Sequence, residues 1–194
     1  MSHVSLPHTI DNGAGERLTF LAIEALPEGP TVLLEAEVQP GAGPAMHVHY
    51  RQVEELSVTS GRLGYQLFGE RERFAEVGES ARFEAGVPHR FWADGADVLR
   101  MTGWVRPPDN FVWFLSEIYR STRDAGSGRP DDFDAAYLLG RYRHEYGMPS
   151  IPAPVRALVF PMLRVVGRGL GRFDRFAGAP DPLPPRQATA ARNA

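Results

Sequence analysis

The chain has 194 residues, 43% of them hydrophobic and 10% aromatic, which is enough to enclose one core with extensions and is unlike a disordered composition. It contains no Cys, which excludes disulfides, thiolate nucleophiles and Cys-ligated metal sites, and all 21 of its basic side chains are Arg, which excludes Schiff-base lysines and a phosphate-loop lysine. The formal net charge of −3 gives no general basic bias toward nucleic acid, although residues 1–150 carry 14 Arg against 22 Asp and Glu while residues 151–194 carry 7 Arg against 2 Asp.

The chain opens without a basic region followed by an apolar stretch, so no signal peptide is expected. No window is long and apolar enough for a membrane span, and the lack of Cys suits a reducing compartment, so a soluble, cytoplasmic protein is expected. Residues 1–16, ending in Asp11-Asn-Gly-Ala-Gly15, read as an N-terminal arm and turn.

From there to about Pro108 the sequence consists of short β-rich runs separated by Gly, Pro or charged turns. Strands are predicted over Leu18–Leu26, Thr31–Gln39, Met46–Arg51, Glu54–Thr59, Arg62–Phe68, Glu70–Val77, Ala81–Phe83, His89–Trp92 and Val98–Val105. Alternation in Glu55-Leu-Ser-Val-Thr59 sends polar and apolar side chains to opposite faces, as a half-buried strand requires. The pattern implies a mainly β sandwich or barrel over residues 17–108.

After Pro107-Pro108 the period changes to a helical one. Asp109 is the expected N-cap of a helix carrying Phe111, Val112, Phe114, Leu115, Ile118 and Tyr119. Asp124–Arg129 reads as a flexible connection, and a second helix is predicted from Pro130 to Tyr146 with Gly147 as its C-terminal cap. A third helix, Pro154–Phe176, is expected to kink near Pro161. Its Arg164, Arg168 and Arg172 recur every four residues, with Arg175 next. Its apolar residues are expected to pack on the barrel or on a dimer mate, the alternative being contact with an anionic membrane surface. Residues 177–194 read as a disordered tail. The helical extension is therefore 109–176.

Three of the six histidines carry the chemistry. His47 and His49, two apart on a predicted strand, project to one face, with Glu54 five residues on and His89 opening a later strand. Three imidazoles and a carboxylate suit one divalent cation: Fe, Mn, Ni, Cu or Zn. His3, His8 and His144 read as ordinary core or surface residues. Arg51 and Arg90 are either anion clamps or rim residues, Tyr50 and Trp92 also flank the ligands, and Tyr65, Met101 and Trp104 line either cavity or core.

The stretch Gly41-Ala-Gly-Pro-Ala-Met-His47-Val-His49-Tyr-Arg-Gln-Val-Glu54-Glu-Leu-Ser-Val-Thr-Ser-Gly61 resembles the first motif of the cupin superfamily at every fixed position. Gly78, Gly86 and His89 match the second motif, with Glu84 and Ala93 in place of its Pro and Asn. The resemblance covers residues 17–106 and one barrel only. It implies a double-stranded β-helix, often dimeric, with a metal on His47, His49, Glu54 and His89 inside the barrel mouth. A site of charge +1 with open positions would favour an anionic small-molecule substrate. It suits a dioxygenase-like oxidoreductase or, with a redox-silent metal, an isomerase or decarboxylase. A non-catalytic sensor or scaffold is the alternative of another class. Glu54 is either a ligand or, swung off the metal, a general base.

Overall fold

The computed structural model describes residues 4–185. Eleven strands and three α-helices follow one another along the chain among the described residues. The strands are β1 (His8–Asp11), β2 (Glu16–Leu26), β3 (Gly29–Val38), β4 (Val48–His49), β5 (Val53–Ser60), β6 (Arg62–Leu67), β7 (Arg73–Ala75), β8 (Ser80–Phe83), β9 (His89–Asp94), β10 (Leu99–Arg106) and β11 (Tyr146–Gly147). The helices are α1 (Phe111–Ala125), α2 (Asp132–Arg141) and α3 (Phe160–Gly169).

Two antiparallel layers form the barrel. One sheet has the order β1-β2-β3-β10-β5-β8, and the other is β7-β6-β9. A bridge between His47 and His89 joins β9 to the short β4, which pairs in turn with β11. Each strand buries its alternate side chains between the layers. Leu34, Leu56, Leu63, Phe83, Leu99 and Met101 are all essentially inaccessible. On β5 the inward phase is Glu54, Leu56, Val58, so a carboxylate shares the face of the apolar core.

The predicted strands from Leu18 to Val105 are all present with shifted ends, but the extended reading of Met46–Arg51 shrinks to the two residues of β4. The N-terminal arm is corrected as well. His8–Asp11 pairs with Arg17–Phe20 as an edge strand, and Ile10 points into the core. The Asn12 side chain closes the turn by accepting from the Ala14 and Glu16 backbone N–H groups, which turns the Gly-rich segment into a hairpin.

Helix α1 starts one residue later than its expected cap. Asn110 occupies the N-cap, while Asp109, at φ 40°, accepts a hydrogen bond from Arg51 at 2.9 Å. Helix α2 is capped by Asp131, whose side chain accepts from the Phe133 and Asp134 N–H groups. It stops at Arg141 rather than Tyr146, because the chain turns to lay Tyr146 and Gly147 beside β4. Gly147 is therefore a strand residue and not a cap.

The kink expected at Pro161 takes the form of a π-helical turn over Val155–Val159, with Pro161 in the first turn of α3, where its missing N–H costs least. The helix ends at Gly169, so Arg172 and Arg175 leave the basic stripe and pair with Asp131 and Asp134. Its narrow inner side rests on α2, where a Cβ at Gly167 would meet Phe173 at 2.5 Å and Phe133 at 3.0 Å. Its apolar residues do not pack on the barrel: Leu158, Met162, Val165, Val166 and Leu170 are exposed.

Part of the expected disordered tail is held against the body. Tyr142 donates to the Pro180 carbonyl at 2.7 Å, Asn110 to that of Asp181, and the Leu183 N–H to Glu145. The segment thus gives the buried Tyr142 hydroxyl its acceptor and adds a second donor, beside Asn110, to Glu145. Residues 186–194 lie outside the described residues. No described helix is long and apolar enough to cross a membrane.

Candidate metal centre

His47, His49, Glu54 and His89 offer ligand atoms that all lie within 4.8 Å of one another. The sheet builds this convergence from three strands. The His47–His89 bridge, with backbone hydrogen bonds of 2.9 and 2.8 Å in the two directions, fixes the loop before β4 against the start of β9. Glu54 enters from β5 on the inward phase, and β11 holds β4 from its other edge. The ring centroids of His47 stand 4.5 Å from His89 and 4.9 Å from His49.

Backbone carbonyls orient two of the rings. His47 Nδ1 faces the Ala45 carbonyl at 2.9 Å, and His89 Nδ1 faces that of Val87 at 3.0 Å. Both contacts place a proton on Nδ1 and turn Nε2 toward the cluster, where it is the ring atom a metal would take. Phe83 stacks on His89 with centroids 4.1 Å apart and planes 5° from parallel, so the ring has little rotational freedom.

Burial dominates the electrostatics of this cluster. It pushes His47 down to about 3, helped by the neighbouring His49 and His89, and His49 down to about 4 against the opposing field of Glu54. Burial by itself would raise Glu54, but the hydrogen bond from His89 and the three imidazoles outweigh it and hold the carboxyl at about 2. At neutral pH the site thus sets an ionised carboxylate among imidazoles, of which His47 and His49 are neutral.

These atoms fit a divalent cation. His49 Nδ1 is buried without a hydrogen-bond partner, 3.8 Å from Glu54 Oε2. Glu54 is 6% exposed, and among the described residues no Arg pairs with it. His89 Nε2 lies 3.3 Å from Glu54 Oε2, close enough for the two to share a proton or to bind one cation together.

His47, His49 and Glu54 of the cluster line a cavity of about 240 Å³. Helix α1 roofs it with Phe111, Phe114, Leu115 and Ile118, and Arg129 from the loop after α1 borders it. A second polar group lies on its wall. Glu16 accepts from Asn12 Nδ2 at 2.8 Å and from the Tyr119 hydroxyl at 2.9 Å, and burial pushes its carboxyl upward against those two bonds.

The four residues expected as ligands are therefore brought together. The flanking residues are not in the cavity: Arg51 binds Asp109, and Arg90 points outward to Gln66 and Glu72. Met101 is core, while Trp104 sits on the outer face donating to Glu55. Sequence reading missed Glu16, Tyr119, Arg129 and the roof. One usable signal existed, since Glu16 shares the inward phase of Leu18 and Phe20 just as Glu54 shares that of Leu56.

The cupin domain family model matches residues 34–105. No curated protein matches the sequence. Among solved structures, KdgF from Halomonas sp. is 19% identical with a TM-score of 0.45, covering 54% of this chain and 92% of its own. A conserved protein with a double-stranded β-helix domain from Klebsiella pneumoniae is also 19% identical, with TM-score 0.42 and coverage of 55% and 84%. A predicted oxalate decarboxylase from Thermotoga maritima is 16% identical, with TM-score 0.43 and coverage of 51% and 90%.

Proposed function

We propose that this protein, whose barrel belongs to the cupin superfamily, is a mononuclear metal-dependent enzyme of the dioxygenase type acting on a small oxygenated organic molecule. The observation that carries the reading is the meeting of four ligand atoms within 4.8 Å, three of their residues lining a largely apolar cavity. His47, His49, Glu54 and His89 would hold the metal. When bound, a redox-active divalent ion supplies Lewis acidity to a substrate oxygen and electrons for reaction with O₂.

The chain's own groups set the terms of that chemistry. The Ala45 and Val87 carbonyls keep Nε2 of His47 and of His89 directed inward. Glu54, held ionised, balances one of two positive charges and leaves a net +1 that favours an anionic substrate oxygen. The aromatic and aliphatic side chains of α1 make the wall beside the metal residues apolar, which strengthens charge interactions there. Glu16, with Tyr119 and Asn12, offers a polar contact for the part of the substrate remote from the metal. A homodimer is the assembly this reading carries with it.

The test is an oxygen-uptake screen over small enols, phenols and hydroxy acids. Uptake with product formation by the wild type, abolished in His49→Ala of unchanged fold, is the predicted result. A metal-loaded protein that consumes no O₂ with any of them overturns the dioxygenase assignment.

A further inference from the structure

The outer side of α3 is the reverse of an ordinary surface helix. Leu158, Met162, Val165, Val166 and Leu170 follow the spacing i, i+4, i+7, i+8, i+12 and so form a single stripe, and that stripe faces solvent. Leu158 is 71% and Val165 74% exposed. A contiguous apolar stripe of this kind on the outside of a folded domain marks an interaction surface.

The surroundings of the stripe specify the partner's charge. Residues 151–173 contain Arg156, Arg164, Arg168 and Arg172 and no acidic residue. Between α2, the 148–151 segment and the start of α3 runs a groove of about 410 Å³, lined by Arg143, Arg156 and Arg164 together with Tyr50, Ile151 and Phe160 and by no carboxylate. Among the described residues, none of these three arginines lies within 4.0 Å of a carboxylate. The groove lies on the flank of α3 turned toward α2, with Arg164 packed over Gly140. The helix thus has an apolar outer face and a basic opposite flank, the pattern of a helix lying in a membrane interface with its cations at headgroup level.

We propose that α3 and the arginine groove beside it dock this protein onto an anionic phospholipid surface, the stripe from Leu158 to Leu170 entering the acyl boundary and Arg143, Arg156 and Arg164 receiving headgroup phosphates. Arg168 lies four residues beyond Arg164 on the same flank of the helix, within reach of the headgroup layer. The inner side of α3 stays on α2 through Gly167, so docking requires no unfolding.

Vesicle co-sedimentation of the full chain tests this, with phosphatidylcholine alone and with phosphatidylcholine mixed with phosphatidylglycerol. The wild type is expected to sediment with the anionic vesicles, to do so less at high salt, and to be only weakly displaced by inorganic phosphate. Met162→Asp/Val165→Asp should lower partitioning by about tenfold or more, and Arg143→Gln/Arg156→Gln by about tenfold or more through two lost charges. All four positions are at or near the surface, and unchanged circular dichroism and unfolding midpoints show that the variants fold. Equal partitioning of wild type and variants, equal binding to both vesicle types, or displacement by free phosphate alone would overturn the proposal. So would a wild type that ignores vesicles but forms a dimer dissociated by Met162→Asp/Val165→Asp, since the stripe would then be a contact between two copies.

Discussion

Replacing Glu54 with Gln keeps the shape of the side chain and removes the single negative charge of the metal centre. In the metal-free protein the folded site holds the 6% exposed Glu54 carboxyl at about 2, below the range of an unfolded carboxylate, so losing that charge should lower the unfolding midpoint below that of the wild type. Metal loading should widen the gap. At a free metal concentration of about 100 times Kd, binding stabilises the wild type by about 2.7 kcal/mol, which for a chain of this size is a rise of roughly 5–11 °C. Changes to groups that merely orient a ligand already weaken metal binding by about 10–100-fold, and removal of a charged ligand should cost no less. At the upper figure the same metal concentration stabilises Glu54→Gln by only about 0.4 kcal/mol, or roughly 1–2 °C. Differential scanning fluorimetry with and without added Fe(II), Mn(II) or Zn(II) reads both values. A variant that keeps the full wild-type shift would show that Glu54 is not a ligand, and the charge argument would fail with it.

Three further expectations concern the protein without metal. Because His47 and His49 are held at about 3 and about 4 when folded, while unfolded imidazoles titrate near 6.5, the unfolded state binds more protons below that value. The stability these residues contribute is then intact above pH 6.5 and is lost progressively as the pH falls toward 4. Urea midpoints should decline between pH 6.5 and 5, and a profile flat over that window would contradict the buried, neutral imidazoles. Gly43→Ala should be strongly destabilising, since at φ 152° a Cβ would stand 2.1 Å from the Phe91 carbonyl oxygen in β9. A loss smaller than about 1 kcal/mol in chemical denaturation would mean that the Gly41–Met46 segment does not lie this close to β9. Glu145→Ala removes the acceptor shared by Asn110 and the Leu183 N–H, and should lower stability by about 1–3 kcal/mol. It should also increase proteolysis after Pro180, and an unchanged digestion pattern would contradict the clasp.

The sequence was readable where periodicity and short-range spacing decide the outcome. The inward phase of β5 follows from Glu54-Glu-Leu-Ser-Val58, and the pairing of His47 with His49 follows from a two-residue strand period. His89 became a partner through its place in a matching motif, and the His47–His89 bridge is the physical reason for the match.

What depends on tertiary contact was not legible. Nothing local in Phe111–Tyr119 distinguishes a helix that roofs a cavity from one packed on any core. Tyr146 and Gly147 read as a helix end until β4 supplies their partners. The outward stripe of α3 is a related case, because spacing shows that Leu158, Met162 and Val166 share a face but cannot say which way the face turns. The segment 177–185 was misread because its composition is Pro- and Ala-rich, while its anchors, Tyr142, Asn110 and Glu145, lie far away in the chain.

The central claim is one cation shared by three imidazoles and a carboxylate at the barrel mouth. Elemental analysis of protein purified from iron-, manganese- and zinc-replete cells tests it most directly, and should find about one divalent ion per chain, lost in His49→Ala and in His89→Ala variants of native fold. Metal content near zero in the wild type, or content unaffected by those substitutions, would contradict it.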